Sequence, residues 1–329
     1  MTKYKLVGIG NAVVDVITHA DDTFLSDMNI EKGIMQLIEK ERGEQLYAAM
    51  DKPVQTPGGA VANTVAGFGA LGLPSAFIGR VNDDVLGNFY ALSMEQDGTA
   101  FVNEPIHNGE LPTSRSMIFV SPDGERSMNT YLGISSELGP EDVPEATASN
   151  TELMFLEGYL FDKDKGKEAF RTASRLTRAA GGKAGIAISD PFCVDRHRAD
   201  FLDMIGNELD YVIGNEHEIK SLFETDDLEA AMAKTVEMID LMVCTRSGDG
   251  VTVISQGKRY DVGVTPVTPV DATGAGDQFA AGFLFGLASG TELGVAAQMG
   301  NLCAAEVISH IGPRPQIDMM AEFRKAGLV

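Results

Sequence analysis

Cysteine is scarce: Cys193, Cys244 and Cys303 are the three in 329 residues. Odd in number, far apart and without a C-x-x-C pair, they argue against a disulfide framework or a zinc ribbon. Apolar or small residues flank Cys244 and Cys303, as expected of core thiols in a reducing cytoplasm. Basic residues are also short. Twenty-six Lys and Arg face 48 Asp and Glu, a net charge of −22. Such a surface repels nucleic acid over most of its area and carries no basic stripe, so no nucleic-acid partner is expected. It does not forbid an anionic ligand, because backbone dipoles and a bound divalent metal set the field inside a cleft. No run approaches the ~20 apolar residues of a membrane span, and Met1 to Gly10 holds no long apolar core of a signal peptide. A cytoplasmic protein without a membrane partner is expected. Low-complexity linkers and fixed-period repeats are missing. So are a G-x-x-x-x-G-K-[ST] loop and an H-E-x-x-H pair, which removes P-loop and zinc-hydrolase readings.

What is present is ordinary for a globular protein: 44% hydrophobic and 22% charged residues. Without a linker, residues 1–329 read as a single α/β domain. Leu6 to Gly10, Ala76 to Gly79, Leu153 to Leu156, Gly185 to Ile188, Tyr211 to Ile213 and Leu241 to Cys244 are short apolar runs. Runs without alternation suit parallel strands covered on both faces. Their spacing leaves room for helices and predicts a doubly wound, mostly parallel sheet flanked by helices. Two stretches, roughly 16–38 and 101–132, break the rhythm. The second carries Met117 to Val120, Pro122-Asp123-Gly124 and Ser127 to Tyr131, a hairpin signal. These stretches are expected to leave the main sheet and form a small β lid that excludes water from a cleft. The last third reads as helical, with Phe279, Phe283 and Leu287 on one apolar stripe.

The sharpest chemistry lies in Asp271-Ala272-Thr273-Gly274-Ala275-Gly276-Asp277. Small residues before an amphipathic helix let backbone approach a ligand, and first-turn N–H groups with the helix dipole make an anion site. Asp277 falls in that turn, a base beside an anion hole. That is most of what phosphoryl transfer requires. Upstream, Gly58-Gly59-Ala60-Val61-Ala62-Asn63 opens a helix, with an amide able to donate to and accept from a hydroxyl. Gly8-Ile9-Gly10-Asn11 to Asp15 is a poor dinucleotide loop, since Val13 occupies the third glycine position.

The 271–277 segment resembles the D-T-x-G-A-G-D signature of the ribokinase-like (PfkB) carbohydrate kinase family, with Ala272 at its first Thr. The Gly58 to Asn63 segment resembles that family's G-G-x-x-x-N signature. The resemblance implies a ribokinase-like fold and an ATP-dependent kinase acting on an alcohol. It makes Asp277 the base and the Gly274, Ala275 and Gly276 backbone the anion hole. It gives Asp15, with Asn11 nearby, two sugar hydroxyls, and assigns substrate contacts to Gly58, Gly59 and Asn63. Ile78 to Gly87 resembles the G-x-V-G-x-D-x-x-G stretch, with Asn82 at its second Gly. Asn215 and Glu218 resemble an N-x-x-E pair that organises Mg²⁺ through water and phosphate, spaced to share one helix face. Thr245-Arg246-Ser247-Gly248-Asp249-Gly250 resembles the T-x-G-x-x-G nucleotide loop, with Ser247 where Gly is usual. Asn215, Thr245, Ser247, Gly248 and Gly250 are thus candidate nucleotide contacts. A monovalent cation such as K⁺ beside residues 271–276 is also implied.

Within the family, Gly10-Asn11 before Val13-Val14-Asp15, and Ile188 to Phe192, look closer to adenosine kinases. Met35, Leu37 and Tyr159 are then candidates to line a flat apolar slot for a purine. Arg126 matches an Arg near the lid that stabilises charge on the transferred phosphoryl group. The best expectation is phosphorylation of adenosine to AMP by a monomer or homodimer. A kinase of ribose, fructose or 2-keto-3-deoxygluconate is the alternative. A non-catalytic nucleoside or sugar sensor on the same fold is a second one.

Overall fold

In the computed structural model, residues 3–329 are described. Their strands, in chain order, are β1 (Tyr4–Ile9), β2 (Val13–His19), β3 (Met35–Leu37), β4 (Val54–Gly58), β5 (Ser75–Ile78), β6 (Thr99–Phe101) and β7 (Ser114–Val120). There follow β8 (Arg126–Tyr131), β9 (Thr151–Glu157), β10 (Lys183–Ala187), β11 (Tyr211–Asn215), β12 (Leu241–Thr245), β13 (Val251–Ser255) and β14 (Lys258–Val262). Nine of them make the main sheet, in the order β14-β13-β12-β11-β10-β9-β1-β5-β6. From β6 to β12 every pairing is parallel, and β13 and β14 add an antiparallel edge.

Strand residues alternate faces, and here both faces are apolar. Leu6, Phe77, Phe155, Tyr211 and Val243 enter one core, beneath helices Ala60–Ala70, Ala275–Ala288 and Leu293–Val307. Val7, Ile78, Met154, Ile186, Val212 and Met242 enter the other, beneath helices Asp164–Ala179, Pro191–Asn207 and Leu228–Met238. Burial on both faces is why these strands read as continuous apolar runs. The three cysteines are free and buried. Among the described residues no helix is long and apolar enough to cross a membrane.

The chain moves from β1 outward to β5 and β6, then returns beside β1 as β9 and continues the other way. The order therefore reverses at β1 and β9, and in open α/β sheets ligands bind outside the carboxyl ends of strands at such a point. Gly10, Glu157, Asn215 and Thr245 all lie at this edge.

A second sheet, β3-β8-β7-β2-β4, stands apart. Leu25, Ile30, Leu46, Met117 and Phe119 bury one of its faces against helices Asp22–Asp27 and Lys40–Ala49. The sheet draws on both irregular stretches of sequence, but its edge strand β4 lies outside them. Val54-Gln55-Thr56-Pro57-Gly58 hides its strand character because Pro and Gly are poor strand residues. Proline is tolerated there because an edge strand need not donate on its open side. Residues 102–113 stay with the main sheet instead: Val102 N–H donates to Phe77 O at 3.0 Å, and Ile106 N–H to Val81 O at 2.9 Å.

Candidate active site

Asp277 is the third residue of helix Ala275–Ala288, whose N-cap, Gly274, takes the left-handed conformation at φ 79°. A Cβ on Gly274 would stand 2.7 Å from Pro313, so only glycine closes this turn. Gly276, by contrast, faces open space. The amides of Ala275, Gly276 and Asp277 fall in the first turn, where a helix supplies few internal acceptors. Ala275 uses its own on Ala272 O at 3.2 Å.

Asp277 is half-buried, surrounded at depth but open toward the cleft. Burial pushes its carboxyl up to about 7; the Asn63 hydrogen bond opposes this, Glu157 and Asp15 add to it, and Arg314 draws it back. Asn63 Nδ2 donates to Asp277 Oδ2 at 3.0 Å. Asn63 is 5% exposed, one turn into helix Ala60–Ala70. That helix starts at Gly59, at φ 97°, where a Cβ would meet Asn11 O at 2.3 Å. The two signature turns thus deliver an amide and a carboxylate to one point from positions 214 residues apart.

Asp15, on β2, is raised to about 6 by burial, against the charges of Arg126 and Arg314. Gly58 leaves room for it, since a Cβ there would lie 2.7 Å from the Asp15 carboxylate. Asn11 is already engaged. Its N–H and Nδ2 donate to Glu157 Oε1 at 3.1 and 2.7 Å, and its Oδ1 accepts from Ser135 Oγ at 3.0 Å. Glu157 also accepts from Val61 N–H at 3.1 Å and is 1% exposed, so its carboxyl is raised by burial despite these donors.

Arg126, at the start of β8, reaches from the small sheet to the anion loop. Its Nη1 donates to Thr273 Oγ1 at 2.8 Å and lies 3.2 Å from Asp271 Oδ2. Its Nη2 is buried with no acceptor among the described residues. Burial works against ionised Asp271, but Thr273, the Gly312 amide and Arg126 outweigh it and hold the carboxyl below its usual range.

The face of the small sheet opposite its helices carries two rows, set by register. Thr56, Asp15, Ser116, Thr130 and Leu37 align across the five strands, with Ser116 Oγ and Thr130 Oγ1 2.8 Å apart. Beside them align Val54, Ile17, Ile118, Met128 and Met35. Met35 and Leu37 are exposed on the edge strand. Tyr159 is not with them. It sits after β9 in the short helix Gly158–Asp162, where burial raises its hydroxyl and Asp190, Glu218, Glu157 and Asp277 are the charges it feels.

Asn215 and Glu218 meet on one side of a helix start, Asn215 as the N-cap of helix Glu216–Leu222 and Glu218 as its third residue. They form a reciprocal capping box. Glu218 accepts from Asn215 N–H at 2.9 Å and Nδ2 at 2.6 Å, and Asn215 Oδ1 accepts from the His217 and Glu218 amides. Burial pushes Glu218 up to about 7. Among the described residues no group of three or more His, Cys, Asp or Glu is placed to hold a metal ion directly. With both Glu218 oxygens occupied, the pair suits a hydrated Mg²⁺ held through water, not a direct protein cage.

Thr245 ends β12, and Ser247–Asp249 makes a one-turn helix at the cleft edge. Ser247 takes a left-handed φ of 47°, so the backbone keeps there the conformation that glycine would adopt freely. Gly248 faces open space, and Gly250 turns back at φ 90°.

Glu157 and Arg314 were missing from the sequence-based set. Glu157 ends an apolar strand at the sheet's carboxyl edge, a usable signal. Arg314 stands between two prolines just past Gly312, where nothing local marks it.

A half-buried carboxylate in the first turn of a helix, on the ligand edge of a doubly wound sheet, suits phosphoryl transfer to a small molecule. Comparison with known proteins agrees. Residues 30–319 match the pfkB family of carbohydrate kinases. A fructokinase of Escherichia coli is 31% identical over 242 residues, 71% of this chain and 77% of that protein. Two solved structures superpose closely. A probable sugar kinase from Rhizobium etli CFN 42 has a TM-score of 0.92 and 40% identity over all of both chains. An adenosine kinase from Sinorhizobium meliloti has a TM-score of 0.91 and 42% identity over 99% of this chain and 100% of that one. The chain belongs to the pfkB carbohydrate kinase family. It is an ATP-dependent kinase of a sugar or nucleoside.

Proposed function

We propose that the chain moves the γ-phosphoryl group of ATP onto the hydroxymethyl group of a nucleoside, adenosine being the best fit. The observation that carries this is the Asp277 carboxylate, held by Asn63 in a first helical turn within the field of Asp15. Asp15 and the Gly58–Gly59 turn take the ribose hydroxyls. The apolar row Ile17, Ile118, Met128 and Met35 covers the base. The 42% identity to an adenosine kinase supports the same reading. Asp277 accepts the hydroxyl proton as that oxygen bonds to the γ-phosphorus. The bond to the β,γ-bridging oxygen breaks, and ADP leaves. The first-turn amides of helix Ala275–Ala288 receive the phosphoryl oxygens, and the spare Nη2 of Arg126 faces the same need. Thr245, Ser247, Gly248 and Gly250 form the nucleotide edge. Asn215 and Glu218 would hold the water around Mg²⁺, which when bound would neutralise phosphate charge. The small sheet closes over the cleft and keeps water from competing.

The test is coupled ATP turnover against adenosine, guanosine, inosine, ribose, fructose and 2-keto-3-deoxygluconate. Adenosine is expected to have the highest kcat/KM. Turnover confined to a free sugar overturns the nucleoside reading and leaves the base in place. Asp277→Asn is expected to lower kcat by about 10²–10⁴-fold with acceptor binding retained. Near-normal turnover in that variant would show that the base lies elsewhere.

A further inference from the structure

We propose that Arg314 is a positioning residue for Asp277: anchored by Asp97, its guanidinium fixes the Asn63 amide so that the NH₂ group faces the base. This rests on the reading of Asp277 as that base. Arg314 Nη1 donates to Asp97 Oδ2, the residue that caps helix Val85–Gln96. Its Nη2 lies 3.5 Å from Met94 Sδ, and its Nε donates to Asn63 Oδ1 at 3.3 Å. The side chain is 15% exposed.

A side-chain amide can present either its oxygen or its nitrogen to a neighbour. Guanidinium has no acceptor, so the oxygen of Asn63 must turn to Arg314. The NH₂ then points at Asp277 Oδ2, which leaves Asp277 Oδ1 without this donor and free to take a proton. A flipped amide would set an oxygen against a carboxylate and deprive the base of its donor. The chain Asp97, Arg314, Asn63, Asp277 therefore decides one orientation among two.

The backbone around Arg314 holds it in place. Pro313 O accepts from Gln278 Nε2 at 2.9 Å, and the same nitrogen donates to Asn63 O at 3.1 Å. The segment thus ties the helix of the base to the helix of the amide. The charges around Asp277 are Glu157 from β9, Asp15 from β2 and Arg314 itself, with the neutral hydroxyl of Tyr159 also in range. Two of these are carboxylates that favour a protonated Asp277. Arg314 opposes them, so it also keeps the base ionised at lower pH.

The experiment follows the Asp277 carboxyl directly. Protein carrying ¹³C-labelled aspartate is titrated by NMR, and the Asp277 signal is the one lost in Asp277→Asn. Arg314→Met is expected to move its midpoint up by about half a pH unit or more, since opposed carboxylate charge is no longer offset. Arg314→Lys, which keeps the charge, is expected to move it less. In turnover assays Arg314→Met is expected to lower kcat at least about tenfold, with the KM for ATP changed less than about threefold. A folded Arg314→Met in which Asp277 titrates as in wild type overturns the proposal. If that variant does not fold, Asp97→Ala decides: it removes the acceptor for Arg314 Nη1 and leaves Arg314 in place but unanchored. A kcat at least about fivefold lower supports the relay, and an unchanged kcat overturns it. The titration needs no turnover. Wild type inactive on every acceptor would therefore defeat the kinase assignment, while the midpoint shift still decides the role of Arg314.

Discussion

Asp277 shows what a carboxylate at depth costs the fold. Its carboxyl is raised from 3.8 to about 7, chiefly by burial. A carboxyl raised in the folded state binds more protons folded than unfolded. The contribution is therefore fully present below about pH 4 and is lost as pH rises through about 7. Three pH units correspond to roughly 4 kcal/mol, an upper bound that solvent in the open cleft reduces. Asp277→Asn removes the titration and can still accept from Asn63 Nδ2. The ligand-free variant is expected to be more stable than wild type at pH 8, by about 1–2 kcal/mol, and equal to it near pH 4. Thermal melts of both proteins across that range check this. A variant less stable than wild type at pH 8 would mean that the carboxylate is stabilised where it sits. At this scale the sequence reveals the turn that sets Asp277 in a first helical turn, because glycines around an Asp have a stereochemical reason. It does not reveal Arg314, whose partners Asn63 and Asp97 lie more than 200 residues away.

Among the elements, the main strands were legible, since apolar runs buried on both faces announce themselves. The small sheet was harder. The hairpin of β7 and β8 follows from Pro-Asp-Gly, but β4 hides behind Pro57 and Gly58. The edge hairpin of β13 and β14 turns at Gln256 and Gly257, both with positive φ, where the sequence shows only Gln-Gly. The two rows on the small sheet exist only through register: Ile17 meets Ile118, and Ile118 meets Met128, because three separate strands align. If the apolar row covers a nucleobase, Ile17→Thr with Met128→Thr removes contacts each worth about 1 kcal/mol. The KM for adenosine is expected to rise about tenfold or more, with kcat and melting temperature nearly unchanged. Steady-state kinetics check it, and an unmoved KM would remove this row from the acceptor site.

For the whole molecule the dominant quantity is a net charge of −22. Self-repulsion on that scale opposes compaction, and salt screens it over a Debye length of ~10 Å at 0.1 M. Raising ionic strength from about 0.02 to 0.3 M is expected to raise the melting temperature by a few degrees. Choline chloride is the salt of choice, because it screens without offering an alkali cation to the 271–276 loop. A flat or falling melting temperature would show that local ion pairs, not net charge, govern stability. Arg259–Glu229 and Lys325–Glu322, exposed to solvent, are pairs that salt would weaken.

The amino-acid order alone determined the doubly wound class, the family resemblance and the glycine turn that opens the helix of Asp277. Each of these is written in residues close together, through hydrophobic period or backbone sterics. Only the tertiary structure decided that Asn63 meets Asp277 and that Tyr159 follows β9 of the main sheet instead of joining Met35 and Leu37 on the small one. It alone brought Arg314 to the amide. Those facts depend on how helices and strands hundreds of residues apart are packed, and local sequence carries no record of that.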